Sequence, residues 1–406
     1  MRIAAAALLL LLPAAAMAEN LPPPGSTMAA PADPEAALAA WESGIRLRAR
    51  AAGISGATLD AVLATVEWLP EVIAADRSQN EFTRTIWDYL DRAVSEDRIR
   101  AGRAALARHG DLLAGIERET GVDAHVLAAI WGLESAYGAV RGDVPVFAAL
   151  ATLAADGRRG AFFSGEFLAA LAIVEGGHAR PRDLRGSWAG AMGHVQFLPS
   201  SWAAFAVDHD GDGRRDIWSD DPEDALASAA AFLRAKGWIA GQPWGLEAAL
   251  PEGFDWAQAS YDNWRPVSWW RARGVTAADG GPLPDHGLAA VLLPGGADGA
   301  AFVIFRNFTV LEEYNSADAY VIALGHLADR LRGGPAIAHD WPRGERALTL
   351  DERLELQRRL TAAGFDTAGI DGLIGPRTQA AIRGWQAAHG RRADAFPSVS
   401  LLEALR

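Results

Sequence analysis

The hydrophobic pattern changes period along the chain. Behind Arg2, residues 3–12 are continuously apolar and lead to Ala16-Met17-Ala18, a small-x-small site. Residues 1–18 therefore read as a secretory signal peptide, too short to span a membrane. Residues 19–34, rich in Pro and Ala, read as a flexible lead-in. From 35 to 120 apolar positions recur with a helical period. Leu127, Ile130, Glu134 and Tyr137 follow at spacings that place them on one helical face. Residues 148–155, 161–175 and 225–236 read as further helices. The period then shortens. Residues 288–293 and 301–305 are apolar runs flanking Pro294-Gly295-Gly296-Ala297-Asp298-Gly299, which predicts a β-hairpin. Gly-Gly-Pro and Asp-Trp-Pro-Arg-Gly mark 333–347 as a linker. Beyond it, 348–406 form a separate small helical unit. Thr349 with Glu352, and Ser400 with Glu403, read as capping boxes that each open a helix. The pattern predicts a mainly α (α+β) protein with a body at 35–332 and a helical tail.

A length of 406 residues suits two or three domains with ample core. Asp plus Glu is 51 against 38 Lys plus Arg, a formal net charge of −13, which argues against nucleic acid as the main partner. Without cysteine there is no disulfide, no Cys-based metal site and no lipoprotein anchor. No later segment reads as a transmembrane span, so the mature chain is expected to be soluble and exported, in a bacterial periplasm. Fifteen tryptophans exceed ordinary usage. Most are assigned to the core, but sugar clefts also use such rings as platforms.

Three places carry chemistry. Glu134 sits on an otherwise apolar helical face, and a carboxyl desolvated there has its pKa raised. A carboxylic acid that keeps its proton near neutral pH suits a glycosidase general acid. In Gly186-Ser187-Trp188-Ala189-Gly190-Ala191-Met192-Gly193-His194-Val195-Gln196, three glycines imply close backbone approach to a ligand or to another element. The interleaved Ser, Trp, His and Gln offer contacts suited to a sugar. Asp208, Asp210 and Asp212, with Gly213 next and the Arg214 carbonyl after it, follow the D-x-D-x-D-G spacing of a calcium loop. Ser219 stands where such a loop ends in Glu, and the acids come later, at Asp220, Asp221, Glu223 and Asp224.

GLESAYG at 132–138, FFSGEFLAAL at 162–171 and GSWAGAMGHVQFLPSSW at 186–202 resemble the membrane-bound lytic transglycosylase B family. The resemblance covers residues 35–332. It implies a lysozyme-like domain that cleaves the MurNAc–GlcNAc β-1,4 bond of peptidoglycan and leaves a 1,6-anhydromuramyl end. It assigns catalysis to Glu134 and substrate contacts to Tyr89, Ser187, Gln196, Tyr314, Asn315 and Tyr320, with Ser187 expected to hydrogen-bond Glu134. It also implies an elongated calcium loop with Asp224 as its last ligand, and tyrosine where Phe232 and His194 stand here. Residues 162–166 fit the family pattern but are assigned a packing role. In the tail, Leu356-Gln357, Ile370 before Asp371-Gly372, Gly375, Thr378 and Trp385-Gln386 resemble the peptidoglycan-binding domain type 1, a three-helix module. Such a module would act as a tether that keeps the body near polymer. Two other readings compete. A hydrolytic muramidase normally uses two carboxyl groups, yet the stretch 186–196 holds no Asp or Glu. A non-catalytic wall-binding protein has no need of an intact Glu134 motif.

Overall fold

The computed structural model describes residues 31–78 and 84–406. The expected signal peptide, and the lead-in as far as residue 30, lie outside the described residues.

The helices start where the sequence supplies caps. Asp33, Ser55, Thr85, Ser95 and Asp123 each accept from a backbone amide of the first turn they open, which satisfies a donor the helix cannot. They open Pro34–Ala51, Gly56–Leu63, Ile86–Ala93, Glu96–Thr120 and Ala124–Ser135. The last is buried at every position from Val126 to Ser135. It packs against Glu96–Thr120, Glu223–Ala235 and Asp318–Arg332, so every face meets protein. Val146–Asp156 and Gly160–Glu175 pair beside it, with Phe147, Phe163 and Phe167 closing the main core. The expected Tyr137 position is corrected. The helix stops at Ser135, and Ala136, Tyr137 and Gly138 all take left-handed backbone. Tyr137 thus turns back over Gly132, where a Cβ would meet its ring at 2.5 Å.

The expected hairpin forms from Leu288–Leu292 and Ala301–Ile304, paired antiparallel with Val291 opposite Val303. It is the centre of a five-stranded sheet rather than an isolated unit. Gly245–Ala249 pairs on one side and Arg265–Pro266 on the other, with Thr276–Ala277 at the edge. Side chains alternate across the central strands, as the pleat requires. Ala290, Leu292, Phe302 and Ile304 join the main core, while Ala289, Val291, Val303 and Phe305 join a second core around Phe254 and Trp270. Tyr261 on the sheet side donates to Asp318 at 2.7 Å and ties this layer to the start of Asp318–Arg332.

The tail folds as Leu350–Ala362, Pro376–Ala388 and Val399–Leu405 around Leu356, Leu360, Ile382, Trp385 and Leu402. The Thr349–Glu352 capping box forms. The expected Ser400 cap does not. Ser398 caps the last helix by accepting from Leu401, because the chain is extended at 398 and already helical at 400. Among the described residues no helix is long and apolar enough to cross a membrane.

One buried charge cluster joins three helices of the body. Asp76, on Pro70–Ser78, accepts from Arg158 Nε at 2.9 Å and from the Nη2 atoms of Arg158 and Arg159. Beside it Arg77 donates to Asp156 at 2.9 Å. Removing one member of a buried pair strands the other. Asp76→Ala should therefore lower unfolding free energy by about 3 kcal/mol. Urea denaturation checks this, and an unchanged midpoint would show that the cluster adds nothing.

Candidate active site

The left-handed turn after Ser135 puts Glu134 on the last turn of its helix with the chain reversing directly behind it. Left-handed backbone at two consecutive non-glycine residues costs energy, so other contacts must hold it. Ser135 Oγ donates to the His194 carbonyl at 2.7 Å and accepts from the Gly138 amide at 3.1 Å. Gly138 must lack a side chain, since a Cβ would lie 2.5 Å from the His194 ring. Trp131 Nε1 donates to His194 Nδ1 at 2.9 Å, so Nε2 carries the proton and donates to the Ser219 carbonyl at 2.8 Å. Burial pushes the His194 pKa down, which keeps the ring neutral. Arg141 donates to the same Ser219 carbonyl and to Asp220. The resemblance supplies a tyrosine at position 194. The imidazole here is a polar link between the Glu134 helix and the loop at 219.

Glu134 is 6% exposed. The Tyr320 hydroxyl donates to its Oε1. Burial pushes the carboxyl from 4.5 up to about 8, and the Tyr320 hydrogen bond opposes that rise in part. Neither cause is a second carboxylate. Burial also raises the hydroxyls of Tyr89, Tyr314 and Tyr320, and the nearby Glu134 charge raises each further. Three of the expected residues thus surround the acid. Their jobs differ. Tyr89 is half-buried on Ile86–Ala93. Arg98 fastens that helix by donating to its last carbonyls, Arg92 and Ala93, at 2.9 Å each. Tyr314 is buried, and its hydroxyl donates to the Val195 carbonyl while its ring packs on Phe197 and Phe232. Phe232, lacking a hydroxyl, keeps only the ring contact.

The glycines of 186–193 meet protein. A Cβ at Gly186 would lie 2.0 Å from the Ala191 carbonyl oxygen, and one at Gly193 would lie 2.1 Å from the Ile217 oxygen. Both leave no room for a side chain. Ser187 is corrected in its detail. Its hydroxyl accepts from the Ala189 and Ala191 amides at 3.3 and 3.0 Å, and among the described residues it makes no hydrogen bond to Glu134. It ties its own turn. Gln196 sits in left-handed backbone at φ 49°. Its Nε2 donates to the carbonyls of Arg141 and Gly193 at 3.0 and 2.8 Å, while the buried Oε1 has no partner among the described residues. The amide is therefore locked in orientation and offers one free acceptor, the match for a donor on a ligand. Asn315 is buried, and its Oδ1 accepts from Ala317 at 3.1 Å just before the Tyr320 helix.

The aspartate loop closes as expected in its first half. Asp208, Asp210 and Asp212 each place a carboxylate oxygen within 4.8 Å of the others, on the surface. Gly211 and Gly213 take positive φ and make the sharp turn. Asp224 is not one of those three but lies beside them, close enough to feel the Asp210 charge. It is buried, and its two oxygens accept from the His209 and Asp216 amides at 2.7 and 3.0 Å, which draws the ends of the loop together. Asp216 faces the acids as well. Burial raises its pKa, and Asp224, Asp212 and Asp210 add to the rise. The other buried carboxyl of the matching motifs, Glu166, accepts from Ser200 N and Oγ at 2.9 and 2.7 Å and caps the helix Pro199–Phe205. That is the packing role expected for 162–166.

Ser135, Arg141 and Asp216 escape sequence reasoning, which singles out His194 for sugar contact rather than as the link between Trp131 and Ser219. Only Ser135 had a local signal, a small hydroxyl at the end of an apolar helix.

With this geometry in place, comparison with known proteins is informative. Residues 37–329 match the family described as the Transglycosylase SLT domain, and residues 349–405 match a peptidoglycan binding domain. Membrane-bound lytic murein transglycosylase B of Escherichia coli is 32% identical over 246 residues, 59% of this chain and 65% of that protein. The aligned region is thus a little under two thirds of that relative's length. SltB3 from Pseudomonas aeruginosa, in complex with NAG-anhNAM-pentapeptide, is similar with a TM-score of 0.88 and 45% identity, over 91% of this chain and 99% of that one. The Escherichia coli lytic transglycosylase Slt35 in complex with calcium is similar with a TM-score of 0.62 and 28% identity, over 76% of this chain and 96% of that one. From the acid helix to the sheet, the chain belongs to the Transglycosylase SLT domain family.

Proposed function

We propose that this chain is a periplasmic lytic murein transglycosylase that cleaves the MurNAc–GlcNAc β-1,4 bond of peptidoglycan without water, leaving a 1,6-anhydromuramyl end. The observation that carries the reading is one buried carboxyl, pushed up to about 8 by burial among Tyr89, Tyr314 and Tyr320, with no second carboxylate acting on it among the described residues. Neutral at physiological pH, Glu134 donates its proton to the glycosidic oxygen as the bond to the anomeric carbon breaks. Now charged, it accepts the proton of the muramyl 6-hydroxyl, whose oxygen bonds to the anomeric carbon of the same sugar. The proton count closes, and no water enters. An intramolecular nucleophile can outcompete water because effective molarities of well-oriented groups reach roughly 10⁵ M or more. Asn315 orients the substrate N-acetyl group beside the anomeric carbon, and the free Gln196 Oε1 accepts from a sugar donor. The complex of the P. aeruginosa relative with NAG-anhNAM-pentapeptide supports the substrate class. The body (35–332), linker (333–347) and wall-binding module (348–406) form one exported protein, with 1–18 as its signal.

Glu134→Gln retains shape but supplies no proton, so turnover should fall by at least about 10²–10⁴-fold. Mass analysis of sacculus digests reads the outcome. Anhydro ends from the parent and none from the variant are expected; reducing ends from the parent would move the enzyme to the muramidase class, and no cleavage at all would make it a binding protein.

The same residue carries a stability signature. The native chain keeps a proton at Glu134 that the unfolded chain releases above its ordinary value of 4.5. The native state then binds more protons, so this group lowers stability as pH rises from 4.5 towards 8. At about 1.4 kcal/mol per pH unit the loss is about 3 kcal/mol at pH 7. Glu134→Gln should therefore melt higher than the parent at pH 7 and level with it near pH 4.5. A variant that melts lower at both would contradict the buried neutral acid.

The aspartate loop fits calcium. Three carboxylates converge on a glycine turn, and none of them forms an ion pair among the described residues. Asp208, Asp210, Asp212 and the Arg214 carbonyl would hold the ion, with Asp224 as the expected last ligand, and its charge would relieve the repulsion among them. The Slt35 complex with calcium supports the choice of ion. Binding to the folded state alone stabilises by about 2.7 kcal/mol at a hundredfold excess over Kd. Calcium should raise the melting midpoint and a chelator lower it, and Asp210→Ala should abolish the difference. An equal response to magnesium, or none, would count against a calcium site.

A further inference from the structure

The segment 333–347 reads as a linker in sequence, yet its bonds make it a strap. Glu247 on the sheet accepts from the backbone amides of Ala338 and His339 at 2.7 and 2.8 Å and from His339 Nδ1 at 2.9 Å. Next, Trp341 lies between two aromatic rings of the body, 6.1 Å from Trp87 and 6.5 Å from Phe302. Gly295 leaves it room, since a Cβ there would touch the indole at 2.9 Å. Arg343 then grips Asp91 with two hydrogen bonds, at 2.8 and 3.1 Å. At the far end Glu345 accepts from Val399 of the module at 3.2 Å. The module itself docks on the body. Arg383 donates to the Ala259 carbonyl, Arg392 pairs with Asp298, and Asp394 accepts from Ala297.

Trp87 and Asp91 are four residues apart on Ile86–Ala93, so they share one face of that helix. Tyr89 is two residues from each, roughly 200° round the axis, on the opposite face. The strap therefore presses one side of a two-turn helix whose other side carries Tyr89, near enough to feel the Glu134 charge. The Arg343–Asp91 pair is more than half exposed on both sides, and such pairs contribute little. The ring contacts of Trp341, tilted on Trp87 and stacked on Phe302, are the stronger ones, because Trp87 and Phe302 are buried and Trp341 is half-buried.

We infer that Trp341, supported by Arg343, is a positioning residue for catalysis: the strap seats the Tyr89 helix, so the linker and module complete the cleft as well as anchoring the wall. The inference rests on Glu134 as the acid. A helix seated loosely leaves Tyr89 out of register with a bound sugar, and misplacement of about 1 Å can cost 10²-fold. It also admits water to the Glu134 carboxyl, beside Tyr89, Tyr314 and Tyr320. Less desolvation means a lower pKa, so the alkaline limb of activity moves to lower pH.

The test uses the full-length protein on a soluble glycan fragment that needs no wall attachment. Trp341→Ala, Trp341→Phe and the parent are compared in kcat/KM across pH, with melting and sacculus binding measured alongside. Expected is a loss of about tenfold or more in Trp341→Ala, with its alkaline limb shifted down, sacculus binding retained, and both kinetic changes largely restored by Phe. Arg343→Asp should lose less, and adding Asp91→Arg should recover it. Parent-like kcat/KM and pH profile in Trp341→Ala, with loss on sacculi only, would overturn the proposal and leave a tether. So would a tenfold loss that Phe fails to restore together with a collapsed melting midpoint, which would mark plain destabilisation. Glu134→Gln in the same assay keeps the two ideas apart: if that variant stays active the acid assignment fails, while the Trp341 comparison still decides the strap.

Discussion

The desolvation of one carboxyl governs this architecture. An ionised group moved from water into protein loses several kcal/mol of hydration unless it is paired, and among the described residues Glu134 forms no ion pair. It meets the Tyr320 hydroxyl instead. That partner satisfies one oxygen without supplying a countercharge, so the group keeps its proton up to about pH 8. The consequence reaches outward. The helix around Glu134 must be enclosed on every side, and one of the helices that enclose it, Asp318–Arg332, carries Tyr320.

Enclosure by itself leaves the acid unaimed. Aim comes from the reversal at Ala136 and Tyr137, a conformation that would relax if it were not tied. Ser135 and Gly138 are tied to His194, and His194 joins Trp131 to the Ser219 carbonyl. That carbonyl lies within the loop 208–224. The surface loop that fits a cation is therefore connected through a neutral imidazole to the helix that holds the acid. A tyrosine in place of His194 could bridge similar groups, but not with one acceptor nitrogen and one donor nitrogen on the same ring.

Much of this was legible in the sequence, and what was not has physical causes. The acid was legible because a Glu on an apolar helical face is rare unless buried for a purpose. The aspartate spacing was legible because a hard cation imposes it. The hairpin strands were legible as apolar runs, but their partner Gly245–Ala249 was not, since Gly-Leu-Glu-Ala-Ala has no β-branched residue and no alternation. Tyr137 was misplaced because spacing arguments assume the helix continues, and nothing in Ala136 announces left-handed backbone. The strap was hidden for a related reason. Gly-Gly-Pro and Trp-Pro-Arg-Gly mark backbone that cannot be helical, which is silent on whether Trp341 finds rings to stack against. Contacts made at long range leave no local trace.

The most direct measurement is the protonation state of Glu134 itself. Infrared difference spectra between the parent and Glu134→Gln isolate the stretch of one buried carboxyl as pH is varied. A protonated-acid band present at pH 6 and lost with a midpoint near 8 is the predicted result. A carboxylate band already present at pH 6, with a midpoint near the ordinary 4.5, would contradict the account.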